Sequence, residues 1–261
     1  MPLDTKDKEI LRSQSCSKTA KEWYQFFNEK YTEKQIRDFC YHSNLKIKKL
    51  SQSELSKIQS QNSRKWNINQ DYFKTWSHNM AYILGLWYAD GCIYRGRMFD
   101  ITLHKKDKYI LKQIAKELQY EGPILDYVDR QAARINFSCV EIYNDLVNLG
   151  GKECKSLDIQ FPKNIPLSFM PDFIRGYFDG DGCIMKLKNN RINSAFTCGS
   201  YDFIKNLWDV LKYQAGVTGG SYDASCVSLK FGKKDTLLIG QYMYQNNPEL
   251  YLERKRVKFS N

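Results

Sequence analysis

The chain has 261 residues, with 40 Lys and Arg against 29 Asp and Glu and a formal charge of +11. That length allows one large domain or two ordinary ones, each with its own core, and excludes a mini-protein that depends on staples. Eight cysteines never form a Cys-x-x-Cys pair and only three histidines occur, so no zinc-ligand spacing can be assembled. The start at Met1 carries no hydrophobic secretory core, and no run of about 18 apolar residues exists to span a membrane. The expectation is a reduced, intracellular protein, in the cytoplasm or in an organelle of a eukaryotic host, with no membrane partner. Residues 1–77 hold 15 Lys and Arg against nine Asp and Glu, and the remainder 25 against 20, so both parts suit a polyanion.

Taken in chain order, Ser17 to Phe27 reads as a helix with Ala20, Trp23, Phe26 and Phe27 inward. Thr32-Glu33-Lys34-Gln35 is a capping box that opens a second helix through His42, with Ile36, Phe39 and Cys40 apolar. Followed by the basic Lys46, Lys48 and Lys49, this pair reads as a helix-turn-helix or as a plain helical cap, with Ser51 to Lys65 as linker. A helix from Asn79 to Asp90, a strand from Met98 to Leu103 and a helix capped by Asp107 through Leu118 come next, the last with Tyr109, Ile110, Ile114 and Leu118 as its apolar side. Strands Ile124 to Val128 and Arg134 to Cys139 and a helix from Val140 to Leu149 complete a first module, residues 78–160. Residues 161–261 repeat the order: helix Pro171 to Asp181, strand Asn193 to Cys198, a helix capped by Asp202 to Ala215, a Gly219-Gly220 turn, strand Cys226 to Phe231 and helix Asp235 to Tyr244. The fold class expected is α+β: two pseudo-symmetric αββαββα modules with antiparallel sheets, after a small N-terminal helical domain over 1–77.

The strongest feature is a ten-residue pattern present twice, Leu84-Gly85-Leu86-Trp87-Tyr88-Ala89-Asp90-Gly91-Cys92-Ile93 and Arg175-Gly176-Tyr177-Phe178-Asp179-Gly180-Asp181-Gly182-Cys183-Ile184. Small residues four apart (Gly85 and Ala89, Gly176 and Gly180) share one helix face, so the two helices can meet at close backbone range at the module interface. Pairing them brings Asp90 and Asp181 together at helix C-termini, where a carboxylate is disfavoured, and two such acids call for a positive ion between them. A calcium loop starting at Asp179 is excluded, because its twelfth position is Asn190 and not glutamate. Cys92 and Cys183 read as small buried residues entering strands.

Ile83 to Gly91 and Ile174 to Gly182 resemble the signature of the LAGLIDADG homing endonucleases, and from about residue 78 onward the chain is similar to a single-chain, two-motif member. The resemblance implies that the last acid of each motif, Asp90 and Asp181, binds the catalytic metal, Mg²⁺ or Mn²⁺. It implies a catalytic lysine beyond the last helix of each module, best matched by Lys155 and Lys255, with Lys152 and Arg254 as competitors. It implies a polar water-orienting group at Lys105 and Ser200. Tyr88 stands where the signature has an acid, a position that is not the metal ligand. The activity implied is site-specific double-strand DNA cleavage that promotes intron mobility; a splicing maturase acting on intron RNA is the alternative on the same scaffold. The Met1 start and a C-terminal Phe259-Ser260-Asn261 without a preceding His point away from an intein.

Twofold protein symmetry suits duplex DNA, whose antiparallel strands offer two equivalent phosphates, and a single chain with both halves suggests a monomer on a long pseudo-palindromic or asymmetric target. Base-reading residues are sought where strands alternate: Asp100 and Thr102, then Arg134, Asn136 and Ser138 in the first module, and Asn193, Thr197, Ser228 and Lys230 in the second. Met98 and Ala195 lie on the same faces.

Overall fold

The computed structural model describes residues 3–14, 17–49, 51, 66–187 and 191–259. The chain divides into two compact units, Met1–Lys65 and Trp66–Asn261. Apart from Ser51, the expected linker lies outside the described residues.

The first unit contains α1 (Thr5–Gln14), α2 (Ala20–Phe26) and α3 (Glu33–His42). Thr19 and Thr32 each close a reciprocal capping box, with Glu22 and Gln35 as the returning side chains, which fixes the starts of α2 and α3. Leu11, Trp23, Phe27, Tyr31, Ile36 and Cys40 form the core. Phe26, expected inward, is half-exposed and lies edge-on to Trp23. The sequence gives no reading of α1 because only Leu11 on it is buried. Tertiary bonds tie its start instead: the Tyr31 hydroxyl accepts from Asp4 N at 3.1 Å and donates to Asp7 at 2.8 Å.

The second unit starts at Trp66, twelve residues before the expected module start. Residues 66–77 pack with the first module, where Phe73 is buried in the core, Asn69 N donates to Leu118 O at 2.8 Å and the Tyr72 hydroxyl to Glu117 at 3.2 Å. The first module then runs α4 (His78–Asp90), β1 (Gly91–Tyr94), β2 (Met98–His104), α5 (Lys108–Glu117), β3 (Leu125–Tyr127), β4 (Ala132–Ser138) and α6 (Val140–Asn148). The second runs α7 (Met170–Asp181), β5 (Gly182–Leu187), β6 (Arg191–Thr197), α8 (Tyr201–Ala215), β7 (Ser221–Asp223), β8 (Ser228–Phe231), α9 (Lys233–Tyr244) and the short α10 (Glu253–Arg256). Both sheets are antiparallel and have equivalent strand orders, β1-β2-β4-β3 and β5-β6-β8-β7, so the αββαββα duplication is present in the fold. No helix among the described residues is long and apolar enough to cross a membrane.

The motif helices α4 and α7 pack against each other at the centre. Every residue of α4 from Met80 to Tyr88 is buried, as expected for a helix that is apolar all round. Their crossing depends on two missing side chains: a Cβ on Gly85 would stand 2.0 Å from Phe173 O, and one on Gly176 would stand 2.0 Å from Tyr82 O. Backbone therefore meets backbone at both points.

Four local expectations are revised. Cys92 and Cys183 are exposed, because they fall on the outer sheet face opposite Asp100 and Ala195 while Ile93 and Ile184 take the core face. Strand β8 begins at Ser228 and not at Cys226, since Val227 adopts φ +43°, a left-handed conformation that breaks extended pairing. The helix after β6 is capped by Ser200, whose hydroxyl accepts from Phe203 N, and Asp202 lies inside its first turn. Asp107 precedes α5 but makes no cap bond, and Tyr109 is exposed on α5; both side chains are engaged by the C-terminal segment, as described below.

Candidate active site

Side-by-side packing of α4 and α7 brings their C-terminal acids together. A Cβ on Gly180 would lie 2.3 Å from the Ala89 Cβ and 2.9 Å from Asp90 Oδ2, which places the end of one helix against the acid of the other. Asp90 keeps an open face to solvent. Even so, the protein around it and the charge of Asp181 push its carboxyl up to about 6, and desolvation pushes Asp181 upward as well.

Each motif helix is capped by a buried lysine from its own module. Lys155 donates to Tyr88 O at 2.6 Å, with Ala89 O at 3.4 Å, and lies over the Trp87 ring. Lys255 reaches Phe178 O at 2.7 Å, Asp179 O at 2.6 Å and Gly182 O at 2.7 Å, and lies over the Phe178 ring. These ammonium groups occupy the partially negative helix ends and offset the penalty of placing acids there. Burial holds Lys155 below its ordinary pKa and brings Lys255 down to about 8. The competitors are turned elsewhere: Lys152 pairs with Asp158 at the surface, and Arg254 pairs with Asp107. Lys105 is exposed before α5, and Ser200 is buried with its hydroxyl capping α8.

A buried polar layer behind the acids escaped the sequence reading. Asp179 accepts from the Tyr82 hydroxyl of α4 at 2.8 Å and from Leu252 N at 2.7 Å, and burial pushes its carboxyl up to about 6. At the equivalent position of α4, the Tyr88 hydroxyl donates to Leu149 O at 2.7 Å. Both side chains tether the segment that leads to a lysine, one by accepting from an N–H and the other by donating to a carbonyl. Arg175, fully buried, donates to Leu250 O at 2.9 Å and Met243 O at 2.8 Å. Its sequence signal was a cation on a helix whose other charges are the acids Asp172, Asp179 and Asp181, the first of which pairs with it at 2.8 Å.

The outer sheet faces carry most of the alternating polar residues. Register places Met98, Asp100 and Thr102 beside Ser138, Asn136 and Arg134 in the first module. Thr102 and Ser138 are exposed and Arg134 and Asn136 are half-buried, but Asp100 is buried, a correction to its expected open position. It is covered because it is the hub of a network: Arg134 pairs with it, Asn136 donates to it at 2.9 Å and Thr102 at 3.1 Å. Arg134 and Asn136 also reach the Tyr94 hydroxyl. Replacing Arg134 with Met leaves this carboxylate without its cation, and the expected loss of about 2 kcal/mol is to be read from a denaturant midpoint. In the second module Asn193, Ala195 and Thr197 share the face with Lys230 and Ser228. Thr197 and Lys230 are exposed and Asn193 is half-buried; Ser228, expected exposed, is buried, lying in register between Thr197 and Asp223. Lys230 pairs with Asp223 at 2.7 Å.

No cluster of three or more His, Cys, Asp or Glu able to hold a metal occurs among the described residues. The Asp90 and Asp181 pair nevertheless fits Mg²⁺ or Mn²⁺: it offers hard oxygen donors, an open face for waters or phosphate, and carboxyls that protein surroundings destabilise until a cation is present.

Residues 168–228, which span α7 through the start of β8, match the family model of the LAGLIDADG-like domain. Nothing matches among curated proteins. Among solved structures the fold is similar to the homing endonuclease I-WcaI bound to its DNA recognition sequence, at 13% identity over 73% of this chain and 91% of that one, with a TM-score of 0.52. The I-LtrWI LAGLIDADG homing endonuclease bound to target DNA is 14% identical over 74% of this chain and 89% of that one, with a TM-score of 0.49. The chain thus has the fold of the homing endonuclease I-WcaI, and residues 168–228 within it match the LAGLIDADG-like domain.

Proposed function

We propose that this LAGLIDADG-fold chain is a site-specific homing endonuclease that makes double-strand breaks in DNA by divalent-metal-dependent phosphodiester hydrolysis, and so promotes intron mobility. The observation that carries this reading is the meeting of Asp90 and Asp181 at the ends of two packed helices, each end capped by a buried lysine. Asp90 and Asp181 would hold Mg²⁺ or Mn²⁺, which when bound supplies charge neutralisation at the phosphoryl group and an activated water. Lys155 and Lys255 add one cation on each side of the acid pair, preorganised by carbonyls and therefore able to stabilise developing negative charge without rearrangement. One ammonium per module matches one scissile phosphate per strand. Replacing Lys155 with Met keeps the packing on Trp87 and removes the charge; the expected result is about 10²-fold slower cleavage of one strand, read on end-labelled duplex.

The two sheet faces support duplex recognition, since a β-ribbon fits the major groove and Arg134, Asn136, Asn193 and Lys230 are suited to base edges. Thr102, Ser138 and Thr197 extend the same polar faces. The halves differ in chemistry: Asp100 in the first module is matched by Ala195 in the second, the residues opposite Cys92 and Cys183 respectively. A target with unlike half-sites follows, and one chain bearing both halves is expected to act as a monomer.

The test uses a duplex selected from a randomised library by the purified chain. With Mg²⁺ both strands should be cut, EDTA should stop cleavage, and raising salt from 50 to 200 mM should weaken binding by roughly 10³-fold or more if about six phosphates are contacted. Mg²⁺ should also raise the melting temperature of the wild type and not of a D90N/D181N double variant. Failure to cut any selected duplex, together with stimulated splicing of an intron RNA, would replace the nuclease reading with the maturase one.

A further inference from the structure

The two lysines at the motif-helix ends are held by different means. The hydrogen bonds that tether the Lys155 segment come from its own module: the Tyr88 hydroxyl on Leu149 O, the Tyr143 hydroxyl on Glu153 at 2.9 Å, and Gly96 N on Glu153 at 3.1 Å; the Tyr88 ring itself packs on Phe173 and Phe203 of the second module. Lys255 stands on α10, a single turn of helix too short to hold itself in place. Its preceding segment is bonded to the second module through Asp179 on Leu252 N and Arg175 on Leu250 O. Just after the turn, Lys258 donates to Ile184 O at 3.1 Å and Phe259 packs on Phe178 and Tyr244, again within the second module, and further bonds to the turn cross from the first module. Asp107 accepts from Arg254 Nε at 3.0 and 3.1 Å and from its second nitrogen at 2.8 Å, a forked pair in which the carboxylate is buried. The Tyr109 hydroxyl accepts from Glu253 N at 2.8 Å and donates to Tyr251 O at 3.3 Å. Asp107 therefore does not serve its own helix as a cap, and Tyr109 does not serve its own core; both grip the turn that carries the other module's lysine.

We propose that Asp107 and Tyr109 are positioning residues of the first module that set Lys255 of the second, so that loosening their grip slows cleavage on the Lys255 side and spares cleavage on the Lys155 side. The inference rests on the nuclease reading for its consequence but not for its geometry. Loosening the clamp frees α10 at the residue next to Lys255, and an ammonium displaced by even an ångström no longer meets the helix-end carbonyls. Lys155 is untouched by the same change. The consequence in catalysis is an unequal pair of strand cuts, with a nicked intermediate when the clamp is weakened.

The experiment labels surface amines of the full chain with a limiting dose of acetic anhydride and reads Lys155 and Lys255 by mass spectrometry. In wild type both should be protected. In Asp107→Asn, and separately in Arg254→Met, labelling of Lys255 should rise about tenfold with Lys155 unchanged, and the melting temperature should remain that of a folded chain. On a plasmid carrying the selected target, the same variants should accumulate nicked circles with the nicks confined to one strand, slowed about 10-fold to 100-fold, the range found when a supporting residue around a catalytic group is removed. The double variant should be no slower than either single one, as expected of two partners in one contact. Equal labelling of both lysines in either variant, or no rise at Lys255, would overturn the positioning claim. A wild type that cuts neither strand would remove the nuclease reading and leave the labelling result to decide the clamp.

Discussion

Asp90→Asn and, independently, Asp181→Asn should abolish double-strand cleavage while the protein still binds its target. Each substitution keeps the size and hydrogen-bonding capacity of the side chain and removes one charge from the pair, so the sheets that recognise DNA are undisturbed. The lost charge is the one that would hold a divalent ion, and loss of a single preorganised electrostatic element already costs about 10²-fold to 10³-fold in rate. With the pair reduced to one charged carboxylate, the drop is expected at about 10³-fold or beyond. Gel-shift affinity at fixed salt and cleavage of end-labelled duplex check the two halves of the statement together. If either variant cuts both strands at the wild-type rate, the assignment of these acids as metal ligands is wrong. Removing the charge also relieves the crowding that pushes the Asp90 carboxyl upward, so neither variant is expected to melt below the wild type in the absence of metal.

Gly176→Ala and Gly85→Ala should each destabilise the chain strongly by a single added methyl. In both cases the new Cβ would lie 2.0 Å from a backbone carbonyl oxygen of the opposing motif helix. A flexible side chain could swing aside, but Tyr82 O and Phe173 O are bonded into helices and can move only if the helices part. Overpacking a rigid site typically costs about 1–3 kcal/mol and more where backbone must shift. We expect about 3 kcal/mol or more for each, read as a fall in denaturant midpoint. Cleavage should be lost as well, since separation of α4 and α7 also separates Asp90 from Asp181. A midpoint equal to wild type would show that the helices do not cross as described.

Much of this architecture is visible in the residues themselves. The motif helices, the duplicated order of elements and the capping box at Thr32 depend on local spacing, and local spacing is what a sequence displays. The acid pair and the choice of Lys155 and Lys255 came from the motif and the resemblance it carries, and the structure puts all four around the two helix ends. What stayed hidden depends on partners far away in the chain. Asp107 looks like a helix cap until Arg254, 147 residues on, is seen to hold it. Asp100 looks like an open base reader until Arg134 and Asn136 close over it. Cys92 and Cys183 look like core because they follow a buried helix, yet strand alternation puts them on the other face. Helix α1 has one buried side chain and thus almost no periodic signal.

The hydrogen bond from Tyr82 to Asp179 bears on the history of the duplication. In a chain built of two second modules, the position of Tyr82 would be occupied by Phe173, which has no hydroxyl, and each Asp179 would lose that donor inside the interface. In a chain built of two first modules, Tyr88 would replace Asp179 and the donor at Tyr82 would have no carboxylate to meet. Trading one half for a copy of the other therefore leaves Asp179 with the Leu252 N–H alone in one case and buries the Tyr82 hydroxyl without its acceptor in the other, the second at a cost of about 1–3 kcal/mol. The two halves have become a lock with unlike parts, each fitted to a side chain that only the other carries.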